Sequence, residues 1–151
     1  MKNLRWICLV MTCGVAIAAE DMPDASVTPG ATNPAVTQEN IKTTICVPGY
    51  TKTIRPPAAY TTKVKLLQLR SGPYEGKGSA ADVEEDHLVA LTIGGHPTSR
   101  HNLWPQFWSS AKIKDRFELR ANKLVCSGRV PLVEMQKAMA TDWYSAAKHY
   151  R

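Results

Sequence analysis

The stretch from Val83 to Trp104 constrains the fold more than any other part of the chain. Val83 to Ile93 carries apolar residues around a charged centre, Glu84-Glu85-Asp86-His87, before Leu88 and Val89. Such a run reads as a strand or a tight strand-loop. Gly94-Gly95-His96-Pro97-Thr98-Ser99 follows, a dense cluster of turn-forming residues. Asn102-Leu103-Trp104 then forms a short return strand, ended by Pro105. Two short strands joined by such a turn make a hairpin, and its first strand holds acids and a histidine inside apolar sequence.

The flanking sequence is helical in pattern. Thr37 to Thr43 suits one or two helical turns, with Thr37 as N-cap and Asn40 three residues on. Ile45 to Tyr50 reads as an extended piece ending in a Pro-Gly turn, and Ile54-Arg55-Pro56-Pro57 as extended too, because proline disfavours helix at the residue before it. A helix begins near Pro57, with Tyr60, Val64, Leu66 and Leu67 as its apolar stripe, and stops by Ser71-Gly72-Pro73. Tyr74 to Ala81 is a Gly-rich loop. The next helix, capped by Ser109 or Ser110, sets Ile113, Phe117 and Leu124 on one face and Asp115 and Glu118 on another, and ends near Gly128. The last runs from Pro131 to about His149 with the stripe Leu132, Met135, Met139, Trp143 and Ala146 or Ala147. Trp104 and Trp143 are assigned to packing. The fold class is α+β, a small hairpin among helices.

Lys2 and Arg5 precede the apolar run Trp6 to Ala19, and Ala16-Ile17-Ala18 fits a small-x-small cleavage site. Residues 1 to 18 therefore read as a secretory signal peptide, too short in apolar length to span a bilayer. The lipid-anchored alternative would use Cys13, but Thr12 stands where that signal carries a small residue such as Gly, Ala or Ser. Residues 19 to 35 have no apolar periodicity and read as a disordered linker, which leaves 36 to 151 as the domain. Of four cysteines, Cys46 and Cys126 survive cleavage. In an oxidising compartment they read as one disulfide, with two buried free thiols as the alternative. Neither sits in a C-x-x-C pair, which argues against zinc bound through them. Loss of Lys2 and Arg5 leaves 19 − 2 = 17 basic against 13 acidic residues, a net +4 that mildly favours a polyanionic partner.

The order of polar groups carries the chemistry. Asp86-His87 is followed by fourteen residues and then Asn102; eight more lead to Ala111, and three after that comes Asp115. An imidazole with a pKa near 6.5 can take a proton from water at neutral pH, so His87 is the general-base candidate. Asp86 and Asp115 offer carboxylates from strand and helix, the hard oxygen ligands that divalent ions favour. Adjacent strand residues point to opposite faces, so joint use of Asp86 and His87 demands a bulge or a strand end there.

This spacing resembles the HNH, or ββα-metal, nuclease finger, with Asp86-His87 at its start, Asn102 on its asparagine and Asp115 on its last histidine. Ala111 departs from the pattern where a further ligand stands. The chain is also similar to small exported bacterial HNH proteins in Thr44 to Gly49, Glu85 to Leu88, Asn102 to Pro105, Val125 to Gly128, and Asp142-Trp143. The resemblance implies a ββα finger with its metal-binding helix, packed among additional helices over residues 36 to 151. The implied activity is a metal-dependent endonuclease, periplasmic or secreted, that hydrolyses DNA in preference to RNA with little sequence specificity. Within it His87 acts as base and Asn102 braces the loop that aims it. One divalent ion, Mg²⁺ or Mn²⁺ in preference to Zn²⁺, sits on Asp86 and Asp115, with His96 or His101 as substitute ligands. Arg55, Arg100 and Lys114 head the candidate phosphate contacts, with Lys112 and Arg116 beside them. Two alternatives use the same scaffold in degenerate form: a non-catalytic nucleic-acid-binding module, and an interaction module of the cell envelope.

Overall fold

The computed structural model describes residues 21–151, so the signal-peptide expectation for residues 1 to 18 lies outside the described residues. Among these residues the architecture is α+β: one two-stranded antiparallel sheet among helices. Strand β1 is Val83–His87 and β2 is Leu103–Phe107. The helices are α1 (Tyr50–Ile54), α2 (Ala58–Gln68), α3 (Trp108–Cys126) and α4 (Leu132–His149), with 3-10 turns at Gln38–Thr43 and Leu91–Ile93. No described helix is long and apolar enough to cross a membrane.

The hairpin runs in one-to-one register from Val83↔Phe107 to His87↔Leu103. There is no bulge; β1 ends at His87, and Leu88 to Ile93 turns away instead of extending the strand. The return strand passes through Pro105 instead of stopping there. Pro105 lies opposite Glu85, while the Leu88 N–H donates to Asn102 O at 2.8 Å. That alternation puts Pro105 at a position whose N–H would point away from β1, where its absence breaks no ladder bond.

Side chains bond several of the outward backbone groups at the ends of both strands, which disfavours further strand pairing there. On β2, Leu103 O accepts from Gln68 Nε2 at 2.8 Å, and the Phe107 N–H donates to Asp21 Oδ2 at 3.1 Å. On β1, Val83 O accepts from Lys65 Nζ at 2.9 Å and His87 O from Lys114 Nζ at 2.7 Å.

Asp21 belongs to a segment expected to be disordered, and from residue 21 onward the structure corrects that reading. Asp21 is buried, pairs with Lys77 Nζ at 2.8 Å and also bonds Ser110 Oγ. The Gly30 N–H donates to His101 O and the Asn33 N–H to Gly94 O, each at 2.8 Å. Gly30 has φ +90°, and a Cβ there would lie 2.7 Å from Ala140 Cβ, so only glycine lets the segment lie this close to α4. The segment is held by polar bonds to the hairpin and not by an apolar stripe, which is why apolar periodicity missed it.

Helix patterning was accurate for α4 and partial elsewhere. Leu132, Met135, Met139, Trp143 and Ala146 are all buried. The helix is kinked at Asp142 (φ −162°, ψ 91°), whose Oδ1 accepts the Ser145 N–H at 2.9 Å and so caps the final turns. Along α2 only Val64 is buried, and Leu67 is exposed. The buried face of α3 is Ser110, Ala111, Lys114, Phe117, Ala121 and Val125; Ile113 is exposed. Ile45 to Gly49 forms turns and Tyr50 opens α1, where the sequence reads as an extended piece over Ile45 to Tyr50. Cys46 and Cys126 form a disulfide, joining the entry to α1 to the end of α3. The core gathers Trp104, Phe117, Met135, Met139 and Trp143 beneath the hairpin.

Candidate active site

Strand alternation divides the polar residues of β1 between two faces. Glu84 and Asp86 share the side of Gln106 and Trp104 and look toward α3. Glu85 and His87 share the other, beside α2. Asp86 Oδ2 accepts from Trp104 Nε1 at 3.3 Å and pairs with Lys114 Nζ at 2.8 Å.

His87 is buried, and its Nε2 lies 2.9 Å from Pro97 O. A carbonyl can only accept, so Nε2 carries the proton and the lone pair of the neutral ring is on Nδ1. Burial pushes the imidazole below its usual 6.5, against the opposing pull of the Pro97 carbonyl and Asp86. The ring is therefore an unprotonated base at neutral pH.

Asn102 fixes the loop that holds Pro97. Its Oδ1 accepts the Val89 N–H at 2.8 Å, and its Nδ2 donates to Val89 O at 3.0 Å and His96 O at 3.1 Å. One fully buried amide thus ties both sides of the β1–β2 connection together. His96 Nδ1 accepts the backbone N–H groups of Thr98 and Ser99 at 3.2 and 3.0 Å, so that atom shapes the turn and is not free to bind metal.

Lys114 overturns the phosphate-contact expectation. It is 1 % exposed, and its ammonium bonds Asp86, Glu118 Oε1 at 2.6 Å and His87 O. Burial works against the charged lysine, but attraction to Asp86 and Glu118 prevails and raises its pKa. Arg55 and Arg100 are exposed, as a phosphate contact requires. Arg55 stands close enough to oppose protonation of His87, and Arg100 to favour ionisation of Glu85.

Three glutamates stand out in the structure. Glu84, desolvated and facing Asp86 and Asp115, is pushed up to about 7. Glu85 has neither carboxyl oxygen hydrogen-bonded, and burial pushes it up to about 8. Burial also raises Glu118 to about 7, since one ammonium does not neutralise two desolvated carboxylates. Their sequence signal was a run of acids inside an apolar strand; their protonation depends on burial that no spacing reveals.

The divalent ion implied by the resemblance does not fit this arrangement. Asp86 already holds an ammonium, Asp115 is exposed, and Ala111 is buried without a donor atom. Among the described residues no three His, Cys, Asp or Glu side chains converge as a metal site. A second feature escaped the sequence reading almost entirely. A groove of about 460 Å³ between α3 and α4 is lined by Arg116, Arg120, Lys148 and Arg151, with Tyr144 beside them. Of these only Arg116 is among the sequence-based phosphate candidates, because the four cations come together only when the two helices pack.

Compared with known proteins, no family model, no curated protein and no solved structure matches the chain.

Proposed function

We propose that the chain is an exported phosphodiester hydrolase of HNH type, acting on nucleic acid with little sequence preference and on DNA in preference to RNA. The observation that carries this reading is His87: a neutral imidazole at the end of β1, oriented by Pro97 on a loop that Asn102 clamps. The ββα reading of β1, β2 and α3 belongs to the same proposal. The Cys46–Cys126 disulfide supports an oxidising location, periplasmic or extracellular.

In this reading Arg55 and Arg100 hold a phosphate in front of His87. Nδ1 takes a proton from water as the water oxygen bonds to phosphorus and the bond to the 3′ oxygen breaks. The departing oxygen takes its proton from solvent. The basic groove between α3 and α4 would extend the electrostatic footprint along the strand. No step uses Mg²⁺ or Mn²⁺, because Asp86 is engaged by Lys114.

The second reading, a non-catalytic nucleic-acid-binding module, is favoured by the same engagement of Asp86 together with the groove. Supercoiled plasmid separates the two. Nicking by the oxidised protein, absent in His87→Ala with its fold intact, supports the hydrolase. Salt-sensitive binding without nicking, in chelator or in any of Mg²⁺, Mn²⁺ and Zn²⁺, supports the binding module. Neither binding nor nicking leaves the envelope interaction module.

A further inference from the structure

Three oxygens converge on one buried point between β1 and α3. Asp86 Oδ2 is 2.8 Å, Glu118 Oε1 2.6 Å and the His87 carbonyl 2.7 Å from Lys114 Nζ. The ammonium has three hydrogens and meets three acceptors, so its valence is filled. Two carboxylates and a backbone carbonyl are also the hard-oxygen donor set that binds divalent cations. The surroundings are negative beyond what one lysine neutralises, because Asp115 and Glu84 act on the same pocket. A buried pair of ordinary kind would need one carboxylate. Here a second carboxylate, Glu118 one turn further along α3, and the carbonyl that ends β1 close around the same atom.

We propose that this is a cation site whose resident cation is Lys114. The chain fills with a tethered ammonium an oxygen cage, closed by the His87 carbonyl, that would otherwise suit a divalent ion. The charge is single, permanent and fixed to α3, so it needs no metal supply and resists chelation. Ala111, one turn earlier on α3, contributes no donor, consistent with a cage completed by an ammonium instead of by further ligands. This inference concerns the charge arrangement and stands whether or not the chain cleaves nucleic acid.

The test is Mn²⁺ binding, followed by electron paramagnetic resonance and calorimetry on the oxidised full protein. Wild type is expected to leave Mn²⁺ free. Lys114→Ala, which empties the cage, is expected to bind one Mn²⁺ per chain and to melt at a temperature that rises with Mn²⁺ concentration. Lys114→Ala with Asp86→Asn should lose both effects. If Lys114→Ala unfolds in chelator, recovery of its fold on adding Mn²⁺ supports the proposal. A folded Lys114→Ala that binds no Mn²⁺ overturns it, and so does failure of an unfolded Lys114→Ala to recover in Mn²⁺. Stoichiometric Mn²⁺ on wild type that Asp86→Asn abolishes also overturns it, since the lysine would then yield to metal.

Discussion

Lys114 and Asp86 form an ion pair of 2.8 Å across the junction of α3 and β1, with the lysine side chain 1 % exposed. A lysine at this depth is held by its partners, since burial alone would drive it neutral. Removing it by Lys114→Met strands two carboxylates, and the expected loss is about 3–5 kcal/mol. Urea denaturation measures it. Replacing the set by Lys114→Met with Asp86→Asn and Glu118→Gln should recover most of that loss.

Acidity should stabilise the fold over part of the pH range. Glu84, Glu85 and Glu118 titrate at about 7, 8 and 7 when folded, against an ordinary 4.5. The folded state therefore binds more protons, and stability falls as pH rises from about 4.5 to 8, then levels off. His87 has the opposite sign: its folded value lies below 6.5, so it costs stability as pH falls beneath 6.5. Three carboxyls outweigh one imidazole, and the melting temperature should drop between pH 6.5 and 8. In Glu85→Gln the drop should be clearly smaller; an unchanged slope would show that Glu85 is not the source.

Asn102→Ala removes three hydrogen bonds, two of them buried, and leaves the Val89 N–H unpaired. A cost of about 2–4 kcal/mol is expected from unpaired buried groups. If the loop aims His87, nicking activity should fall further than thermal unfolding explains at the assay temperature. Activity and circular dichroism measured on one sample separate the two effects.

Joining Cys46 to Cys126 closes a loop with a sequence separation of 80. In the chain-entropy account this contributes about 4 kcal/mol. Cys46→Ser with Cys126→Ser should lower the urea midpoint accordingly, while thiol counting on the denatured wild type should find neither cysteine free.

Arg55→Ala with Arg100→Ala should weaken DNA binding evenly across sequences. If each guanidinium meets one phosphate, the slope of log K against log salt should become shallower by about 2. An unchanged slope would place the phosphates elsewhere, and Arg116→Ala with Arg120→Ala would then test the α3–α4 groove.

Local rules set part of this fold before any packing. Turn residues at Gly94 to Ser99 and the apolar runs around them imposed the hairpin, and the 3.6-residue period of Leu132 to Ala146 imposed α4. The spacing of His87, Asn102 and Asp115 singles out β1 and α3, which meet at Lys114. Tertiary structure alone decided the roles of charged residues. Lys114 reads as a solvated lysine until α3 packs on β1 and brings Asp86, Glu118 and the His87 carbonyl around it. Asp21 reads as linker until its carboxylate meets Lys77 and the outer edge of β2. Glu85 reads as a surface acid until α2 covers it. The physical reason is common to all three. Backbone and apolar preferences act over a few residues, whereas the energy of a charge depends on the burial and partners that distant segments supply.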